Sequence, residues 1–201
     1  MLLDLLEYLF GGSKPKKINS ANVRLTRYKI INLADYDRTA SLDHFVVRDG
    51  DKTLLLAAPV QFIADLRMEG MARTESGVIG YDAATRGYTL YDPKKYPWGV
   101  GIGNRPLVPF KSCAVDPAVI PIGSRIFLSI LQGVHLPDGT VHSGYIDAVD
   151  VGRAIRGYHI DLFSGGQQWY SQLDAILSKA GYADDTKLTL SAAWEAGAGH
   201  A

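Results

Sequence analysis

The stretch from Cys113 to Gly165 decides how this chain is read. It contains Ala114-Val115-Asp116-Pro117, then Ile120-Pro121-Ile122-Gly123-Ser124. After an interval come Ala148-Val149-Asp150-Val151-Gly152-Arg153-Ala154-Ile155-Arg156-Gly157 and His159-Ile160-Asp161-Leu162-Phe163. Tyr145 to Asp150 and His159 to Phe163 read as short strands, punctuated by Gly152 and Gly157. Strand side chains alternate, so His159, Asp161 and Phe163 share one face while Ile160 and Leu162 face a core. Asp150 ends its strand beside Gly152, at a turn. Asp147 lies three residues before it, an odd offset that predicts opposite faces and a solvent-facing Asp147. Asp116 precedes Pro117, where a carboxylate commonly serves as a turn or capping group.

Outward from this stretch the pattern is mostly short strands. Val23 to Ile31 is β-rich, and Asp49-Gly50-Asp51 is a hairpin turn between two apolar runs. Pro59 to Arg67 reads as a short helix with proline at an early position. Tyr88 to Arg105, rich in aromatics, Gly and Pro, reads as a long ordered loop. Gly99 to Asn104 has a glycine spacing that invites a dinucleotide-binding reading, but Arg105-Pro106 follows where a helix would be required. Arg125 to Leu131 is a strand, and an insertion runs from about Ser129 to Ser143. Gln168 to Ala180 is a helix, with Trp169, Leu173, Ile176 and Leu177 on one face and Gly181 as its cap. Lys187 to Ala192 is a last strand. Many short strands with little helix predict a β-barrel.

Composition sets the outer limits. The chain has 201 residues, 47% hydrophobic and 21% charged, with zero formal net charge. No basic excess points to nucleic acid. The single cysteine, Cys113, sits in an apolar context and reads as a buried small hydrophobe. The five histidines have no HxH or HExxH spacing, and no serine-nucleophile motif occurs, so neither a metal, a cofactor nor a serine nucleophile is expected. Met1 to Phe10 carries Asp4 and Glu7, with its lysines after the apolar run, the reverse of a secretory signal. It is also shorter than the roughly 20 residues of a membrane span. Leu2, Leu5, Leu6 and Leu9 lie on one helical face, so residues 1–20 read as an amphipathic helix and linker. Residues 195–201 read as a frayed tail.

The four motifs between Cys113 and Gly165, in this order, resemble the three-aspartate (3D) domain of MltA-type lytic transglycosylases, whose segments run AVDP, IPLGS/T, DTGGAIKG and IDLF/Y. The naming aspartates fall on Asp116, Asp150 and Asp161. Leu25-Thr26-Arg27-Tyr28 resembles the family's first-strand TGY-like segment, and Met68-Glu69-Gly70 a QGSG-like segment. The sequence departs from the pattern at Val151, where the family has Thr, at Arg153 (Gly) and at Arg156 (Lys). The resemblance implies a mainly β fold: a six-stranded double-psi β-barrel over residues 21–194, with core motifs at 113–165, loop insertions and one or two peripheral helices.

It also implies an enzyme that cleaves the β-1,4 bonds between N-acetylmuramic acid and N-acetylglucosamine in peptidoglycan glycan strands. By the same resemblance Asp161 is the general acid/base and Asp150 supports it. A glycosidic oxygen leaves poorly without a proton. In a lytic transglycosylase the muramic C6 hydroxyl then attacks, so one carboxyl group acts first as acid and then as base, giving a 1,6-anhydro product. Asp116, Tyr28, Arg153, Arg156 and Trp98 are the expected substrate-binding residues, with Tyr91 and Tyr96 as further stacking candidates. Two alternatives stand beside this reading: a non-catalytic, expansin-like wall-polysaccharide module, and a peptidoglycan hydrolase that uses water. The resemblance implies work in the cell envelope or outside the cell, and a phage lysis protein fits equally.

Overall fold

The computed structural model describes residues 18–179 and 189–195. The expected amphipathic helix in residues 1–20, the Gly181 cap, the start of the Lys187 strand and the tail beyond Glu195 fall wholly or largely outside them. The chain begins its barrel with β1 (Ile18–Tyr28). It then leaves to build a second sheet from β2 (Ile31–Asn32), β3 (Leu42–Asp49), β4 (Lys52–Pro59), β5 (Met71–Thr74), β6 (Gly77–Asp82) and β7 (Gly87–Tyr91). Helix α1 (Val60–Glu69) connects β4 to β5. The chain returns through β8 (Ser112–Val115), β9 (Arg125–Leu128), β10 (Tyr145–Asp150) and β11 (His159–Phe163), then α2 (Gln167–Lys179) and β12 (Thr189–Glu195).

The barrel closes in the order β1-β11-β8-β10-β9-β12, with β12 antiparallel to β1. Two of its pairings, β1 with β11 and β10 with β8, are parallel. This is the double-psi barrel that the motifs predict. Its interior follows the strand alternation. Val23 and Leu25 of β1, Cys113 and Val115 of β8, Ile126 and Leu128 of β9, Ile146 and Ala148 of β10 and Ile160 and Leu162 of β11 are all about fully buried in one core. Leu173 and Leu177 of α2 pack into that core with Trp169 and Ile176 at its margin, as the 3.6-residue period predicts.

Residues 31–91 depart from the expectation of loop insertions. They form a six-stranded sheet, β2-β5-β6-β7-β3-β4, with a core of its own around Phe45, Val47, Phe62, Leu66, Ile79 and Tyr88. Helix α1 begins after Pro59, whose φ of −51° suits helix entry. It ends at Gly70, held at φ 82°, whose N–H donates to the Leu66 carbonyl. A third cluster, of Ile30, Val78, Leu107, Val149 and Phe163, joins the sheet to the barrel, with Tyr28, Met71, Tyr91 and Trp98 packed against it.

The loop after β7 is ordered by its own backbone. Tyr96 N–H donates to the Asp92 carbonyl, Leu107 N–H to Gly99 and Gly101 N–H to Arg105. Gly101 sits so close to β10 that a Cβ there would meet the Val149 carbonyl oxygen at 2.2 Å. The 129–143 insertion is pinned by His142, which is 2% exposed. Its Nδ1 accepts from Gly144 N–H at 2.8 Å, leaving Nε2–H to donate to the Phe110 carbonyl at 2.8 Å. Burial lowers the pKa of this neutral imidazole.

Leu162 is fully buried between strands of the barrel. Leu162→Ala is expected to cost about 2–5 kcal/mol, the usual range for a leucine cavity. Urea denaturation followed by tryptophan fluorescence measures it.

Candidate active site

The pairing registers bring the chemistry-bearing residues together. Thr26 of β1 lies opposite Asp161 of β11, and Asp161 opposite Ala114 of β8. On the other side of β8, Ala114 is the register partner of Asp150. The two aspartates therefore flank one alanine on the outer face of the barrel, two strand spacings or roughly 10 Å apart at Cα.

Asp150 reaches that face because β10 carries an irregularity. Asp147 pairs with Ser112 and Ala148 with Cys113, but Asp150 pairs with Ala114, so Val149 is an extra residue. The bulge corrects the expectation of opposite faces: Asp147 and Asp150 both belong to the Ser112/Ala114 face. Asp147 nonetheless stays exposed and outside the cleft, one rung further along.

Above this face, between barrel and second sheet, is a cleft of about 1010 Å³. Its barrel side presents Tyr28, Ala114, Asp150 and Asp161. The loop after β10 contributes Arg153, and the end of α1 contributes Arg67 and Glu69. Tyr81 and Tyr91 of the second sheet and the Gly101–Asn104 turn complete it.

The two carboxyl groups have different partners. Asp150 accepts from the Tyr28 hydroxyl at 3.0 Å and from Val151 N–H at 2.8 Å. Burial pushes its pKa up, and the Val151 and Tyr28 donors pull against that. The Tyr28 hydroxyl, desolvated and beside Asp150, is held well above the usual phenol range and stays a donor. Asp161 Oδ1 meets the Thr26 hydroxyl at 2.6 Å, and the same hydroxyl lies 2.8 Å from His159 Nε2. His159 is 7% exposed; burial and the charge of Arg24 lower its pKa, against a bond to the Ala154 carbonyl. Glu69, across the cleft, is raised by partial burial and by Asp65.

Asp161, Asp150, Tyr28 and Arg153 all line the cleft, as does Tyr91. Asp116, Arg156 and Trp98 do not. Asp116 spends its oxygens on backbone: Oδ2 accepts from Gly157 N–H at 2.8 Å and Oδ1 from Ala118 N–H at 3.1 Å, so it fastens the loop that carries Arg153. Arg156 stays near it, donating to the Ile155 carbonyl. Trp98 is occupied by packing, its ring against Trp169 (5.4 Å) and Phe163 (6.4 Å) under the Arg73 guanidinium. Tyr96 packs edge-on against Tyr91. The sequence reading did not single out Arg67, Tyr81 or the roles of Thr26 and His159. Their signals are ordinary strand and helix residues that only long-range pairing makes neighbours. Among the described residues, no group of His, Cys, Asp and Glu is arranged to hold a metal ion, and no helix is long and apolar enough to cross a membrane.

The family model of the 3D domain matches residues 111–181. This segment is a 3D domain. The match starts just before β8 and takes in both cleft aspartates and Asp116, so four of the barrel's six strands, β8 to β11, and all three naming aspartates belong to the matched segment. No curated protein matches the chain in sequence. Among solved structures it is similar to E. coli MltA with bound chitohexaose, at 14% identity and TM-score 0.51, over 95% of this chain and 80% of that one. Looser likenesses are to the lytic transglycosylase LtgG of Burkholderia pseudomallei (18%, TM-score 0.42, 89% and 71%) and MltA of Neisseria gonorrhoeae (18%, 0.44, 72% and 45%). At these identities the first likeness is one of fold: barrel and second sheet together, beyond the 3D domain alone.

Two outcomes follow from the geometry. Tyr28→Phe removes a donor to ionised Asp150, so the Asp150 pKa should rise further, as read by carboxyl NMR titration. The Gly157 and Ala118 N–H bonds lower the Asp116 pKa, so its contribution is present above the ordinary carboxylate range and lost as pH falls through its folded value. Asp116→Ala should therefore melt below the wild type at pH 7, with the gap closing in acid; differential scanning calorimetry against pH reads it.

Proposed function

We propose that the chain is a peptidoglycan lytic transglycosylase of the 3D-domain, MltA-like kind, with Asp161 as its single general acid/base. The observation that carries this is the position of Asp161: on the wall of a cleft large enough for several sugar rings, with a hydroxyl at 2.6 Å and a second carboxyl group two strands away. The structural relative in E. coli holds chitohexaose, a β-1,4-linked amino-sugar chain, and the cleft here offers tyrosine faces and hydrogen-bonding groups suited to such a strand. Substrate of this kind places the protein's work at the cell envelope.

In this reading a glycan strand lies along the cleft with a scissile oxygen at Asp161. Asp161 gives its proton to that oxygen as the C1–O bond breaks. The developing positive charge on the sugar ring is met by Asp150, which Tyr28 and Val151 hold in place. The C6 hydroxyl of the muramic residue then attacks C1 and returns a proton to Asp161, closing the 1,6-anhydro ring. Arg153 and Arg67, on opposite sides, are suited to the carboxylates of the lactyl or peptide substituent.

One observation favours a second reading. Carboxyl groups on strands two spacings apart leave space for a water, the arrangement of an inverting hydrolase. Mass spectrometry of products from purified sacculi decides: 1,6-anhydro termini support the transglycosylase, and products heavier by one water turn Asp150 into a base for water. Binding to sacculi without product would point to the non-catalytic module. Asp161→Asn should reduce release to the blank while circular dichroism stays native; clear residual cleavage would remove Asp161 from the acid role.

A further inference from the structure

We propose that the last turn of α1 is a receptor for the peptide stem of peptidoglycan, with Arg67 taking a stem carboxylate and Glu69 a stem ammonium. This rests on a glycan strand occupying the cleft, as above, and gives a role to the wall opposite the aspartates. A strand that reaches Asp161 and Asp150 lies against the barrel wall. Its β-1,4-linked sugar backbone carries no charge. The charges of such a substrate lie on the substituents of its muramic residues. A peptide stem has carboxylates, and a free ammonium at its diamino acid where it is not cross-linked. The second-sheet side of the cleft presents Arg67, Glu69 and Asp82, charges for which a bare glycan has no use.

Arg67 is held in one orientation. Its Nε donates to the Tyr88 hydroxyl at 2.7 Å. Tyr88 is 7% exposed and packs against the rings of Phe45 (4.9 Å) and Tyr81 (5.1 Å), so the acceptor is fixed. The other guanidinium nitrogens make no hydrogen bond or ion pair among the described residues, and they form the fork that grips a carboxylate. Glu69, two residues on, opens into the same cleft, also without a hydrogen bond or ion pair among the described residues. Tyr81 N–H donates to the Gly70 carbonyl at 2.8 Å, which ties this turn to β6. Met68, between the two charges, is 75% exposed and suits the alanine methyl groups of a stem. Asp82 is not part of the receptor. It accepts from Ala84 N–H at 2.8 Å and from the Thr85 hydroxyl at 2.9 Å, and so closes the β6–β7 turn.

Helix stability does not account for this pair of charges. A cation near a helix C-terminus is favourable, but Arg67 spends its Nε on Tyr88 and not on the last carbonyls. Glu69 is the last residue of α1, where the helix dipole opposes a carboxylate. Asp65, four residues earlier, adds like-charge repulsion, against a smaller attraction from Lys29. A carboxylate kept at such a position is explained by an incoming cation. Two unpaired charges of opposite sign, two residues apart, fit a ligand that carries both signs. Arg153, on the barrel side, is left for a carboxylate closer to the sugar ring.

Titration calorimetry on the Asp161→Asn protein tests this, because binding then reads out without cleavage. Three probes of equal sugar length are compared: a stem-bearing glycan fragment, the same fragment with its stems removed, and chitohexaose. The stem-bearing fragment should bind tightest. Arg67→Gln should lower the ratio of stem-bearing to denuded affinity roughly tenfold, the size of one hydrogen bond to a charged group. Tyr88→Phe, which frees Arg67 to turn, should move the same ratio in the same direction by less. Glu69→Gln should weaken binding of a stem with a free amine, and acetylating that amine should abolish the difference between Glu69 and its glutamine variant. Equal losses for all three probes in Arg67→Gln would overturn the proposal and make Arg67 a structural residue. A larger loss for the denuded fragment, whose muramic residues expose a lactyl carboxylate, would overturn the stem in favour of that group. Stem-dependent binding without 1,6-anhydro product from the wild type would remove the transglycosylase reading alone. Product with stem-indifferent binding would remove the receptor alone, and no binding of any probe would remove both.

Discussion

The parallel pairing of β1 with β11 is the constraint on which the rest of the molecule depends. It sets Arg24, Thr26 and Tyr28 beside His159, Asp161 and Phe163, residue for residue. The inward set, Val23, Leu25, Ile160 and Leu162, is buried in the barrel core. A slip of one residue would turn every one of these side chains over, burying Asp161 among leucines and exposing the core. Hydrophobic burial on one face therefore fixes the hydrogen-bonded site on the other. The polar residues of the cleft are held in place by apolar residues that do not line it.

The same logic extends across β8. Ala114 is small, and it lies between Asp161 and Asp150, so the cleft floor opens where a larger side chain would fill it. The extra residue at Val149 turns Asp150 outward and sends Val149 into the cluster that joins barrel and second sheet. Gly101 closes on the Val149 carbonyl from the loop side. One bulge thus aims a carboxyl group, anchors the second sheet and seats the loop that borders the cleft.

The electrostatics divide the two aspartates. Asp150 has a tyrosine and a backbone amide as donors, which hold a carboxylate in one orientation. Asp161 has a hydroxyl whose own proton is contested by an imidazole. In the proposed mechanism the first environment holds the oriented carboxyl group and the second the group that cycles its proton.

The amino-acid sequence by itself marked strands β9, β10 and β11, the α1 and α2 helices, the β3–β4 hairpin and, through the family resemblance, the two cleft aspartates. Those features rest on local order: a period of two or 3.6, a turn residue, or motifs in succession. Tertiary structure decided what depends on distant pairings. The second sheet was illegible because its β7–β3 and β2–β5 contacts join segments that carry no local mark of each other. Asp147 and Asp150 share a face because a bulge, invisible to simple alternation, adds one residue. Trp98 and Asp116, both substrate-contact candidates in the sequence, lie outside the cleft, engaged by ring packing and by backbone hydrogen bonds, the capping role that Asp116-Pro117 also predicts. Thr26 and His159, 133 residues apart, meet only because β1 lies against β11, and no spacing along the chain encodes that pairing.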